Sequence, residues 1–296
     1  MSPALTDRDP VTELTARERA RALLDKGTFR ELIDPFEQLA SPHLLAQGIT
    51  PQSDDGVVVA RGTLDGERAV VLAVDGDFQG GGIGEVSGAK IAGALELALR
   101  DAGSGRPVRP VLLLETGGIR LQEANLGLLA IAEIHAAIAA LRRHVPVVGV
   151  ITGMIGAYGG MGIAAGLCSD LVMTAAGRLA LNGPEVIENE AGVAELDSRD
   201  RGMIWAYSGG SQRTAVGLAD VLVPDDTTAV RDAVRAVFAR GPRPDAECRS
   251  ARVEEFTRRL AGADPALALD PQWLRAAWGT ADGRGEKQHD TEEQQA

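Results

Sequence analysis

Basic side chains, thiols, aromatics and long apolar runs are all scarce in this sequence, and each scarcity excludes something. Lys and Arg number 30 against 42 Asp and Glu, a formal charge of −12, which argues against the broad attraction used by nucleic-acid and anionic-membrane binders. Two cysteines, Cys168 and Cys248, stand far apart without metal-ligand spacing, and read as reduced thiols of a cytoplasmic protein. His43, His135, His144 and His289 are scattered without metal-site spacing, so no metal is expected. The N-terminus carries no signal-type apolar core, and no uninterrupted run reaches the roughly 18 apolar residues of a membrane helix. There is no Gly-Lys-Ser/Thr phosphate loop, Gly80 to Gly84 lacks dinucleotide-binding spacing, and no Gly-x-Ser-x-Gly elbow exists; Ser87 and Ser211 have no evident histidine partner.

What is present suits a layered globular fold. Hydrophobic residues make up 45% of the chain and aromatics only 3%, while glycines number 36, so the core is built from Ala, Val, Leu and Ile in closely approaching layers. Residues 16–24 and 28–39 read as short helices, the second broken at Pro35, with 41–53 a loop; residues 1–55 form an N-terminal helical arm. Branched-rich runs at 57–63 and 69–75 flank Leu64-Asp65-Gly66-Glu67, a hairpin signal. A helix over 86–100, a strand at 111, a helix over 121–142 and a strand over 145–151 follow. In the second helix Leu121, Ala124, Leu128, Ile131, His135, Ile138 and Leu141 recur along one face. A small-residue helix to Cys168, strands at 170–174 and 178–181, and a linker to about 208 come next. Amphipathic helices at 227–240 and 246–260 pack on the body or on a partner. This alternation predicts an α/β fold, a layered sheet with flanking helices, over residues 56–262; the tail 263–296 is expected to be disordered from about 279.

Two turns draw attention. An apolar run at 112–114 ends in Glu115-Thr116-Gly117-Gly118 and opens into a helix, and Tyr158-Gly159-Gly160 repeats the arrangement. Backbone N–H groups at the start of a helix have no acceptor inside it, so glycine amides there suit an anion, although glycine also permits tight packing of strand on helix. Arg120 and Glu123 stand either at a substrate or in a salt bridge, Tyr158 lines a wall or donates a proton, and His135 reads as a core histidine with a hydrogen-bond partner.

The string Thr116-Gly117-Gly118-Ile119-Arg120-Leu121-Gln122-Glu123 resembles the Ser-Gly-Gly-Ala-Arg-Met-Gln-Glu signature of the carboxyltransferase branch of the crotonase superfamily, and the likeness extends over about half the chain. Within that branch, residues 29–36, Ser41-Pro42-His43-Leu44, 51–58, 114–134 and Gly183-Pro184-Glu185-Val186-Ile187-Glu188 resemble the beta-subunit family of biotin-independent malonate decarboxylases. The resemblance implies a crotonase-like ββα superhelix that pairs with a homologous gamma subunit, the active site lying between them. It also implies an acyl carrier subunit and an acyl carrier transferase subunit. The substrate it implies is a malonyl thioester on a dephospho-CoA-type arm, or on CoA, which loses CO2 to leave the acetyl thioester; no covalently bound cofactor is expected on this chain.

Carried over from the family, Gly117, Gly118, Gly159 and Gly160 supply oxyanion donors; Gly81, Gly82, Arg120 and Tyr158, by their place beside these turns, are expected to contact substrate. Two alternatives stand beside this: a carboxyltransferase subunit of a biotin-dependent acyl-CoA carboxylase, weakened by the absence of a four-cysteine zinc ribbon, and a non-catalytic scaffold that docks the carrier. The chemistry agrees independently, because decarboxylation needs donors at an enolate oxygen and a later proton, not a nucleophile.

Overall fold

A computed structural model describes residues 9–50, 55–123, 125–264, 267 and 270–279. The expected arm at 1–8 and the expected disorder at 280–296 lie outside the described residues. Helix α1 (Ala16–Leu23) starts at Thr15, whose hydroxyl accepts the Glu18 N–H while Glu18 reaches back to the Thr15 N–H. The expected helix at 28–39 is instead the short strand β1 (Arg30–Leu32), which pairs antiparallel with β2 (Val57–Leu64), Leu32 opposite Val59. The loop expected after Ser41 contains helix α2 (Pro42–Ala46), capped by the Ser41 hydroxyl.

Strands β2 and β3 (Glu67–Val74) form the hairpin that Asp65-Gly66 announces, both turn residues having positive φ, 54° and 76°. Across the hairpin, Asp25 accepts the Gly66 N–H at 2.9 Å and the Thr63 hydroxyl at 2.7 Å, which holds its carboxyl down at about 2.

From β3 onward the chain repeats one unit: a strand in the main sheet, a short extended segment turned away from it, then a helix. The first unit is β3, β4 (Gly82–Ile83) and α3 (Glu85–Gly103); the second is β5 (Arg109–Leu113), β6 (Gly118–Ile119) and α4 (Asn125–Leu141). The third is β7 (Val148–Ile151), the segment at Ala157 and α5 (Gly159–Leu167). Strand β8 (Asp170–Thr174) follows, then helices α6 (Pro184–Ala191), α7 (Arg201–Ser208) and α8 (Gly210–Ala215), strand β9 (Val221–Val223) and helix α9 (Thr227–Arg240). Helices α10 (Val253–Ala261) and α11 (Pro271–Trp278) complete the described chain.

The main sheet runs β1-β2-β3-β5-β7-β8-β9, antiparallel as far as β3 and parallel beyond it. Its middle strands are apolar without alternation because both faces are covered. The short segments stack separately: β4 pairs with β6, and parallel bridges run Thr116–Ala157–Leu179. Residues 178–181, expected as a strand, contribute only isolated bridges, Leu179 to Ala157 and, antiparallel, Arg178 to Gly209. The expected linker before 208 contains α7, capped by Asp200, whose carboxylate accepts the Met203 N–H.

Helix α4 forms as expected but buries Ala130, Ile131, Ile134, Ala137, Ile138 and Leu141, leaving Leu128 and Leu129 more than half exposed. Helix α9 spends its apolar face, Val230, Val234, Val237 and Phe238, inside the chain, whereas α10 buries no residue. Among the described residues no helix is long and apolar enough to cross a membrane, and no group of three His, Cys, Asp or Glu is placed to hold a metal.

Candidate active site

The three glycine-bearing turns meet. Gly82 lies opposite Gly118 in the β4–β6 pair, and a Cβ built on Gly118 would sit 3.5 Å from the Gly159 Cα and 3.1 Å from the Tyr158 carbonyl oxygen. A Cβ on Gly81, where φ is +67°, would fall 1.9 Å from the Glu115 carbonyl oxygen, so no other residue permits this approach. The sequence separation of these turns hides their convergence, which the stacking of successive units produces.

The amides are not equivalent. Gly117 N–H donates to the Gly80 carbonyl at 2.9 Å and Gly159 N–H to the Leu181 carbonyl at 2.7 Å, both spent on joining one turn to the next. Gly81 N–H donates to the Phe78 carbonyl at 3.0 Å, and Gly82 N–H to the Gln79 carbonyl. Gly118 N–H is held only by the hydroxyl of its neighbour Thr116, at 3.1 Å. Gly160, second residue of α5, has no acceptor for its N–H among the described residues, as the first turn of a helix dictates. The expected pairs of donors therefore resolve into one free amide, one weakly held amide and two committed ones.

Arg120 is not at an open surface. Its side chain is 2% exposed, with Nη1 at 2.8 Å from Asp55 Oδ1 and 2.9 Å from Glu123 Oε2, Nη2 donating to the Gly82 carbonyl at 2.7 Å, and the Phe78 ring 5.0 Å away. Glu123 also accepts the Glu85 N–H at 3.1 Å, and Asp55 the Ser87 N–H at 3.3 Å, so the cluster pins the start of α3 and the Gly82 turn to β6. Burial pushes the Asp55 carboxyl above its usual range, with Arg120 opposing the shift. Both Nη atoms of Arg120 are thus committed to buried partners within the chain, while its Nε is buried without one. The partner Asp55 escaped sequence reasoning because it lies far from Arg120 along the chain.

Tyr158 is likewise turned inward, 5% exposed, its ring 5.6 Å from the Arg178 guanidinium carbon. Its hydroxyl is buried without a hydrogen bond of normal geometry; burial raises the phenol, Arg178 and the Ser208 hydroxyl act against that, and Ser208 donates its own proton to the Ile204 carbonyl at 2.6 Å. Its carbonyl oxygen faces Gly118, and its ring is buried beside Arg178. Glu115, unremarked in the sequence, is a buried anchor: its carboxylate accepts the Gly153 and Ile155 N–H groups and lies 3.6 Å from Arg19, and burial raises its carboxyl above the usual range. His135 does have a partner, the Gly160 carbonyl at 2.7 Å.

Stacked strand-turn-helix units with backbone donors where the turns converge define a crotonase-fold carboxyltransferase. A model of the carboxyl transferase domain matches residues 8–287, and the chain belongs to that family. More particularly, it is homologous to malonate decarboxylase subunits. It is 59% identical to a chain of a Pseudomonas malonate decarboxylase hetero-tetramer crystallised with malonate, with a TM-score of 0.89 over 93% of this chain and 99% of that one. To a chain of the Pseudomonas MdcD-MdcE hetero-dimer it is 54% identical, with a TM-score of 0.73 over 88% and 100% of the two chains. The malonyl-S-ACP:biotin-protein carboxyltransferase MADC of Malonomonas rubra is 36% identical over 91% of this chain and 88% of its own. Acetyl-CoA carboxylase carboxyltransferase beta subunits are more distant, that of Endomicrobium trichonymphae being 32% identical over 44% of this chain.

Proposed function

We propose that this chain is the beta-type subunit of a malonate decarboxylase, acting with a homologous gamma-type subunit on a malonyl thioester carried by an acyl carrier subunit. The observation that carries the reading is the free Gly160 N–H at the N-terminus of α5, beside the Gly118 turn, in a chain 59% identical to one from a malonate decarboxylase. The bond between C2 and the carboxylate carbon breaks, CO2 leaves, and the electron pair moves onto the thioester oxygen as an enolate. Gly160 N–H is the primary donor to that oxygen on this chain, and Gly118 N–H, released from Thr116, is the second; Gly117 and Gly159 hold the turns. One such donor is worth about 10²–10³ in rate. The enolate carbon then takes a proton to give the acetyl thioester.

Exposed apolar side chains around the cluster, Leu121 at 79%, Leu181 at 60%, Leu129 at 59% and Ile163 at 48%, support a second subunit closing over it, as do the hetero-oligomeric relatives. The CoA-type arm is supported by a Pseudomonas malonate decarboxylase hetero-tetramer crystallised with coenzyme A, although the chain matched there is only 21% identical. The test is to purify the chain with its partner subunits and supply malonyl carrier without biotin. Release of CO2 with matching acetyl thioester is expected. Carboxylated biotin formed only when biotin is added, with no free CO2, would instead assign the transfer reaction that the Malonomonas relative's name describes.

A further inference from the structure

Among the described residues, His135 is the one histidine bonded to the glycine cluster. It projects from α4, and its Nε2 lies 2.7 Å from the Gly160 carbonyl oxygen. A carbonyl only accepts, so Nε2 carries the proton and donates it. At Gly160 the two helices also approach closely: a Cβ there would stand 2.6 Å from Ile131 Cγ2, one turn before His135 on the same helix. Ile131 therefore seats the first turn of α5 by shape, and His135 seats it by a directed bond.

We infer that His135 is a positioning residue for decarboxylation, fixing the first turn of α5 so that the Gly160 N–H points at the enolate oxygen. The inference rests on the reading of Gly160 given above. The first turn needs such a tether. Gly159, with φ of +56°, is a residue of low intrinsic stiffness, and beyond the bonds inside α5 the turn is fixed by Gly159 N–H to the Leu181 carbonyl and by Met161 and Gly162 N–H to the Tyr158 carbonyl. A donor displaced by about 1 Å loses on the order of 10² in rate. The imidazole does not touch the reacting atoms in this arrangement; it holds the carbonyl of Gly160, one Cα removed from the peptide that carries the donor N–H, and acts by fixing the orientation of that residue. Since α4 is the helix that follows the Gly117-Gly118 turn, the His135 bond ties the free donor on α5 to the unit that carries the weakly held one.

The test uses the complete assembly with His135→Ala, His135→Leu and His135→Gln, Gln keeping an N–H donor of similar reach. The expected result is a fall in kcat of about tenfold or more for Ala and Leu, with KM for malonyl carrier within about twofold, and recovery of most of the loss in Gln. Nitrogen NMR of the imidazole should show Nε2 protonated, and the Gly160 and Met161 amide signals should shift in Ala and return toward the parent in Gln. Unchanged kcat in Ala and Leu would overturn the inference. So would a Gln variant as impaired as Ala, which would make the role one of shape, or a loss confined to KM. If the parent assembly releases no CO2, the functional reading falls, and the amide signals still decide the tether: unmoved signals in Ala overturn it.

Discussion

Replacing Arg120 by alanine leaves Asp55 and Glu123 facing each other where both side chains are fully enclosed. Removing one partner of a buried ion pair costs about 3–5 kcal/mol, because the remaining charge is neither solvated nor paired. With an unfolding entropy of about 2.1 cal/mol/K per residue, 296 residues carry about 0.6 kcal/mol/K, so Tm should fall by about 5–8 °C. The deficit should depend on pH. Asp55 already holds its proton above the ordinary carboxyl range because it is buried, and without Arg120 only the Ser87 N–H is left to oppose that. A carboxyl whose folded pKa exceeds its unfolded one makes stability fall as pH rises through the window between the two, so the Arg120→Ala deficit should be smaller near about pH 5 than near about pH 8. Calorimetry across that range, together with KM for malonyl carrier, is the assay. A Tm within about 2 °C of the parent combined with a raised KM would refute the argument and return Arg120 to the substrate.

Two further outcomes follow from the geometry. Gly80 and Gly81 share a left-handed backbone, φ +62° and +67°, but a Cβ on Gly80 meets nothing within 4 Å whereas one on Gly81 strikes the Glu115 carbonyl. Gly80→Ala should therefore lose only the strain of about 1 kcal/mol, and Gly81→Ala distinctly more, read as a larger drop in urea midpoint at unchanged slope; equal drops would contradict the close approach. Asp25→Asn should lower stability near neutrality, and its difference from the parent should vanish as pH falls toward 2, because the Asp25 carboxyl sits at about 2 and its contribution is lost on protonation. A difference that persists in acid would mean that the amide and hydroxyl bonds of Asp25 do not depend on its charge.

Much of the architecture was legible where a local signal decides structure. Asp65-Gly66 dictated its hairpin, and the apolar runs of β5, β7 and β8 were visible as buried strands. Strand β1 was not, since Arg30–Leu32 is short, begins with two charged residues and exists only through its pairing with β2. The face of α4 differs from its sequence pattern at Leu128, which is as apolar as the residues that reach the core, because periodicity does not say which neighbour will be there. Helix α7 carried its signal in Asp200, but the charged residues around it, Asp197 to Arg201, read as a linker. At the site, the glycines stood out as a class, yet their separate duties did not. Which N–H is free depends on carbonyls at Gly80 and Leu181, contributed by neighbouring turns.

The unpaired amide of Gly160 has a bearing on how the reaction responds to its surroundings. A peptide N–H neither gains nor loses a proton in the range where side chains titrate. A site whose own donor is main chain brings no acid–base equilibrium of its own to the bond-breaking step. If Gly160 is that donor, a bell or slope in the rate against pH enters through the malonyl carboxylate, through whatever group returns the proton to C2, or through the side chains that hold the turns, His135 among them. Acidity near this centre therefore acts on shape and on the substrate, while the donor itself stays constant.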